Sequence, residues 1–276
     1  MERKAERADR TNPLEMAVAA RDAGTLRMVE LAVHHRHVLL AFQPVVHAAR
    51  PDRVAFREAL IRVLDETGRI IPAREFIHQV EETETGRILD CLALEKGLRT
   101  LARVPELRLS INMSARSIGY RRWMRILDRA LRSDTTVGER LILEISEASV
   151  ARIPEVAGRF IADLRHRGIS FAVDDFGAGD SALRHFRDLQ FDILKIDGSY
   201  TRDITGNADN DVMTRGIVAL ARELDLLTVA GRVETAPDGD HLARIGVDCL
   251  QGYVFGAPST RPPWSGQPGW SDRETG

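Results

Sequence analysis

At 276 residues, 43% of them hydrophobic and 29% charged, the chain is long enough to bury a large core in one domain or two. Its net charge of −2 supplies no overall basic field, which argues against nucleic acid or an anionic membrane surface as a partner. Cys91 and Cys249 are the only cysteines and stand far apart, which excludes a disulfide framework or a cysteine zinc site and fits a reducing cytoplasm.

Residues 1–13 mix both charges, lack an apolar leader core and read as a disordered start. No later run approaches the ~20 apolar residues that span a bilayer, so a cytoplasmic protein without membrane attachment is expected. LEMAVAARDAGTLRMVELAVHH has helical character, and the strand-like VLLAFQPVV follows at 38–46. Further β-rich runs come at 54–63 (VAFREALIRV), 107–113 (LRLSINM) and 141–145 (LILEI). They continue at 169–175 (ISFAVDD), 191–196 (FDILKI), 226–230 (LLTVA) and 248–255 (DCLQGYVF). Between them lie helical patterns such as ILDCLALEKGLRTLA, and RFIADLRHRG with Gly168 as its C-cap. Residues 259–276, rich in Pro, Gly and Ser, read as a disordered tail.

Eight strands alternating with helices, several of them apolar on both faces, predict a parallel α/β sheet. Eight units over roughly 250 residues suit a closed (β/α)8, TIM-like barrel in a single domain over 14–258 better than an open sheet. No glycine-rich dinucleotide fingerprint follows any strand, which disfavours the doubly wound alternative.

In such a barrel the carboxyl ends of the strands converge on one mouth. The polar residues in or at the ends of the apolar runs are Glu58, Asn112, Glu144, Asp174 with Asp175, Lys195 and Gln251. Carboxylates and an amide arriving from different strands are what Mg²⁺ or Mn²⁺ requires, and a pair of such ions suits phosphodiester cleavage. Singly, each residue has a plainer reading: a strand-end carboxylate, a snorkelling Lys195, a turn at Gln251-Gly252, or aspartates capping backbone amides. Joint placement at strand ends is what favours the functional one. His34, His35 and His37 form H-H-x-H at the end of a helix, where they cap its negative pole or face solvent rather than bind a metal.

These residues also sit in motifs that resemble the EAL-type cyclic di-GMP phosphodiesterases. FREALIR, SINMSAR, LEISE, DDFGAG, DILKID and LQGYVFG occur in that family's order over about residues 24–258. The resemblance implies an EAL-type barrel that binds cyclic di-GMP and two Mg²⁺ or Mn²⁺ ions and hydrolyses the dinucleotide to linear pGpG. By position, Glu58, Asn112, Glu144 and Asp174 match metal ligands, and Asp175 matches a residue that helps hold the second ion. Glu58, Asp175, Lys195 and Gln251 match the catalytic set, with Lys195 and Gln251 positioning the attacking water. Gln43, Leu60, Arg62 and Gln251 match substrate contacts, and Glu147 matches a glutamate that steadies the loop after DDFG. In that family the loop is linked to dimerisation, so the resemblance also implies a homodimer through it.

The chain departs from the pattern at AGRVET, 230–235, where the family usually carries A-E-G-V-E-T. Gly231 stands where a glutamate tied to metal binding and catalysis is expected, and Glu234 matches the motif's other glutamate. Asp180 replaces an aromatic in the loop after DDFG. The alternative reading is therefore a weak or inactive domain acting as a cyclic di-GMP receptor or protein-interaction module.

Overall fold

The computed structural model describes residues 12–179 and 189–266. Helix α1 (Pro13–His34) leads into β1 (Val38–His47), β2 (Arg50–Leu64) and β3 (Ile70–Pro72), then α2 (Ile77–Val80) and α3 (Glu84–Arg103). There follow β4 (Leu109–Asn112), α4 (Arg121–Ser133), α5 (Thr136–Arg140), β5 (Leu141–Ser146), α6 (Glu147–Arg152), α7 (Pro154–Arg165) and β6 (Ser170–Phe176). The last elements are β7 (Ile193–Ile196), α8 (Gly198–Thr201), α9 (Ala208–Glu223), β8 (Leu227–Ala230), α10 (Ala236–Arg244) and β9 (Cys249–Leu250). No helix among the described residues is long and apolar enough to cross a membrane.

The strands pair in the order β1-β9-β8-β7-β6-β5-β4-β2, and β2 pairs back with β1, which closes an eight-stranded barrel; β3 lies outside it on β2. All eight expected strands are present, but the wholly parallel sheet is not. β1 runs antiparallel to both β2 and β9. The cause is chain length: only Ala48 and Ala49 separate β1 from β2, enough for a hairpin, whereas a parallel crossover takes a dozen residues or more. The last strand is also shorter than 248–255. Strand geometry stops before Gly252, whose backbone presses so close to Val233 that a Cβ would lie 1.7 Å from the Val233 carbonyl oxygen.

Strand side chains alternate, so each strand feeds two cores. Outward residues such as Leu109, Leu143, Phe171 and Leu194 pack with Trp123, Leu127, Phe160, Ile161 and Val218 of the helices. Inward residues Val45, Phe56, Ile142, Ala172, Ile193, Val229 and Cys249 form a separate cluster inside the barrel. A third cluster joins Val29, Ala32 and Val33 of α1 to Phe76, Val80, Leu89 and Leu92.

Residues 259–266, expected to belong to a disordered tail, are instead ordered against the barrel. Ser259 and Phe42 exchange backbone hydrogen bonds of 2.9 and 3.1 Å. Trp264 is buried against the Phe42 ring, with the Arg57 guanidinium 5.5 Å from the Trp264 ring centre. The indole gains apolar contact and a cation–π partner there, which a reading by composition does not see. Residues 1–11 and 267–276 lie outside the described part.

Candidate active site

The mouth is assembled by one rule of β-geometry: side chains two apart on a strand share a face. Each inward apolar residue is followed, two positions nearer the mouth, by another inward position. Phe56 leads to Glu58, Ile142 to Glu144, Ala172 to Asp174, Ile193 to Lys195 and Cys249 to Gln251. On antiparallel β1 the count runs backward, from Val45 to Gln43. β4 adds Asn112 beyond buried Ser110. The eighth position, beyond Val229, is Gly231. An apolar layer closes the barrel, and a polar ring with one bare member lies on it.

The ring is densely bonded. Glu58 accepts hydrogen bonds from Asn112 Nδ2 at 2.8 Å, Gln251 Nε2 at 2.6 Å and Lys195 Nζ at 3.3 Å. Gln251 reaches Gln43 Oε1 at 3.3 Å, and Gln43 donates to the Gly256 carbonyl at 3.1 Å. Lys195 Nζ also donates to Glu144 Oε2 and lies 3.2 Å from Asp174 Oδ1. The expected residues Glu58, Asn112, Glu144, Asp174, Lys195, Gln251 and Gln43 are thus brought together.

Three carboxylates around one ammonium leave two negative charges in excess in a buried space. Lys195 is held well above the ordinary lysine range: desolvation works against its charge, and Asp174, Glu144 and Glu58 more than reverse that. For Glu58 desolvation raises the pKa, but the charge of Lys195 and the hydrogen bonds from Gln251, Asn112 and Lys195 bring it below its usual value. Glu144 is pushed up to about 8, by desolvation first and then by the Glu58 charge. One oxygen each from Glu58, Glu144 and Asp174 lies within 4.8 Å of the others. Glu144 Oε1 is buried without a hydrogen-bond partner. A divalent ion cancels the excess charge and satisfies that oxygen, so these residues fit one.

Adjacent aspartates would normally face opposite sides of β6. Here the β6–β7 register shifts between Val173 and Phe176, and Asp175 takes a left-handed φ of 52°. The irregularity turns the chain so that both Asp174 and Asp175 line the cleft over the ring, of about 520 Å³. Desolvation, then the Asp174 charge, pushes Asp175 up to about 6. Asp175 lies outside the three-carboxylate cluster. At the place where sequence motifs call for one more carboxylate, Gly231 offers none, and Glu234 is turned away in a surface pair with Arg202 at 2.9 Å. The residues present do not fit a second ion.

Leu60 lines the cleft, and half-buried Arg62 donates to the Ile61 carbonyl at 2.9 Å instead of reaching the ring. Desolvation lowers the Arg62 pKa, with Arg74 adding to it. Glu147, buried after β5, accepts the Gly177 N–H at 2.8 Å, and Tyr200 donates to the Gly177 carbonyl at 2.8 Å. The DDFG turn is therefore held at both backbone groups. Asp180 and the remainder of its loop, through 188, lie outside the described residues.

Sequence reading missed Asp90. Its Oδ2 accepts from the Ser114 N–H at 3.0 Å and the Ser117 hydroxyl at 2.6 Å, tying α3 to the loop that follows Asn112. Desolvation pushes Asp90 up to about 6. The available signal was an aspartate inside the apolar run ILDCLAL.

The EAL domain family model matches residues 26–258. The cyclic di-GMP phosphodiesterase PdeF of Escherichia coli (strain K12) is 28% identical over 237 residues, 84% of this chain and 31% of that protein. The cyclic di-GMP phosphodiesterase PdeB of Shewanella oneidensis is 27% identical over 231 residues, 82% of this chain and 27% of that protein. The chain therefore spans about a third of the length of these curated relatives. Among solved structures, the PaMucR phosphodiesterase in its c-di-GMP complex superimposes with a TM-score of 0.75 at 27% identity, covering 86% of this chain and 97% of that one. The c-di-GMP-bound FimX EAL domain from Pseudomonas aeruginosa gives a TM-score of 0.77 at 24% identity, over 86% and 96%, a likeness of fold.

Proposed function

This chain belongs to the EAL domain family, and on that premise we propose that its mouth binds cyclic di-GMP and hydrolyses one phosphodiester bond to give linear pGpG, using Mg²⁺ or Mn²⁺. The observation that carries the reading is the meeting of Glu58, Glu144 and Asp174 around Lys195, with a buried Glu144 oxygen left unpartnered. Glu58, Asn112, Glu144 and Asp174 are the residues to hold the ion. Bound there, it supplies Lewis acidity at the phosphate and lowers the pKa of water.

The chain's own groups account for the rest. Hydrolysis adds one water across one P–O3′ bond, leaving a 5′-phosphate and a 3′-hydroxyl. Lys195 hydrogen-bonds Glu58 and Glu144, and its third N–H orients the water while its charge offsets negative charge growing on the phosphate. Asp175 is a carboxylate outside the ion's cluster that lines the same cleft, and it accepts the proton that the water gives up. Gln251 and Gln43 orient Glu58, while Leu60 and Arg62 face the nucleotide. Glu147 holds the turn that presents Asp175. The same reading makes the protein cytoplasmic and homodimeric through the loop after Asp175.

A second reading, a cyclic di-GMP receptor with little or no turnover, is favoured by Gly231 alone. The full chain with cyclic di-GMP and Mg²⁺ or Mn²⁺ distinguishes the two. Product that disappears in Glu58→Ala supports the hydrolase; calorimetric binding in Ca²⁺ with no product in Mg²⁺ or Mn²⁺ supports the receptor; neither binding nor product overturns both.

A further inference from the structure

On the β8 side of the mouth the positive charge is a side chain. Arg232 follows Gly231 and has φ 53°, a left-handed conformation that L side chains adopt only at a cost. Its stem lies across the backbone of Gly198, the first residue of α8. A Cβ on Gly198 would stand 2.2 Å from Arg232 Cδ and 2.6 Å from Cγ, so only a glycine makes this bed. The nearest acid in sequence, Glu234, is already paired with Arg202. Among the described residues no hydrogen bond or ion pair holds the Arg232 guanidinium, although its charge reaches Asp175 in the cleft. Beside it Gly231 is open: a Cβ there meets nothing nearer than the Ile196 carbonyl oxygen at 3.8 Å. The Gly231 carbonyl in turn accepts from the Thr201 hydroxyl, which anchors the backbone that carries the arginine.

A strained backbone, a glycine bed and uncommitted N–H donors on an exposed residue next to the open Gly231 position belong together. We infer that Arg232 is a phosphate-binding residue: its guanidinium takes the non-bridging oxygens of a bound phosphodiester by paired donors, and it supplies the second positive charge of a site that holds one divalent ion. A guanidinium suits this because its planar fork matches two phosphate oxygens at once and it stays charged at any working pH. The inference rests on the proposed binding of cyclic di-GMP in this mouth.

The test is calorimetric titration of the full chain with cyclic di-GMP, Ca²⁺ replacing Mg²⁺ so that ligand is not consumed. Arg232→Gly keeps the left-handed φ without strain, so the fold is not put at risk, and it should bind at least about tenfold more weakly than the parent. Arg232→Lys keeps the charge and loses the fork, and should fall between the two. A parent that binds while Arg232→Gly binds equally well, or Arg232→Lys matches the parent, overturns this inference and leaves the proposed function standing. A parent that does not bind at all overturns the proposed function first. Mn²⁺ added to the ligand-free protein, counted by loss of the free-ion electron-paramagnetic signal, should saturate at one ion per chain. Two ions in the parent would also overturn it.

Discussion

The two sides of the barrel mouth are built on opposite plans. From β2 round to β7, and again at β9 and β1, every inward position carries a polar side chain bonded to its neighbours, and Glu58 alone accepts from three of them. At β8 the inward position is Gly231, and the nearby charge is a cation. The bonded side gathers three carboxylates around the Lys195 ammonium, whereas the open side offers no carboxylate and carries Arg232 beside it. The two sides follow one rule of strand alternation and differ in the charge that the rule presents at the mouth.

Removing the hub of the bonded side gives the largest expected effect. Glu58→Ala should lower turnover of cyclic di-GMP by about 10²- to 10³-fold. It should also lower folding stability by about 3 kcal/mol, because Lys195, Asn112 and Gln251 lose their shared acceptor. Turnover near the parental rate would dissolve the contrast between the two sides.

Lys195→Met strips the ammonium from three carboxylates. Denaturation in a chelator should show a loss of about 3 kcal/mol. Millimolar Ca²⁺ should recover much of it, because the ion takes over the charge balance. Equal stability with and without the lysine would mean the ring is not electrostatically strained.

On the open side, Gly231→Glu places a carboxylate where a Cβ has room. Hydrolysis should rise about five- to tenfold. An unchanged or lower rate shows that the missing carboxylate is not what limits turnover.

Asp90 concerns the stiffness of the bonded side. Its folded pKa of about 6 lies above the ordinary 3.8, so its favourable contribution is complete below pH 3.8 and is lost as pH rises through 6. Asp90→Asn keeps an oxygen able to accept from Ser114 and Ser117 and has no charge to bury. Urea denaturation should find the variant about 1 to 2 kcal/mol more stable than the parent at pH 8, with the gap closing by pH 4. A gap that does not depend on pH would assign the effect to the hydrogen bonds instead.

Much of this was legible beforehand. The eight strands, their alternation with helices, and the polar residues at their ends could be read because period and composition are local properties. Glu58, Asn112, Glu144, Asp174, Lys195 and Gln251 each stand two residues beyond an inward neighbour on their own strand. The antiparallel β1 could have been read too, from the short gap before β2. Trp264 could not, since its place against Phe42 depends on chain more than two hundred residues away.

The sequence by itself determined the barrel's elements, the inward facing of the polar ring and the bare position at Gly231, because side-chain alternation along a strand is set by backbone geometry. Only the tertiary structure decided that Lys195 lies among three carboxylates, that Asp175 turns into the cleft through a left-handed residue, and that Arg232 lies on Gly198. Those outcomes depend on closure of the barrel, which sets charges from distant strands against one another in a space with little water, where their mutual energies are large enough to choose the conformation.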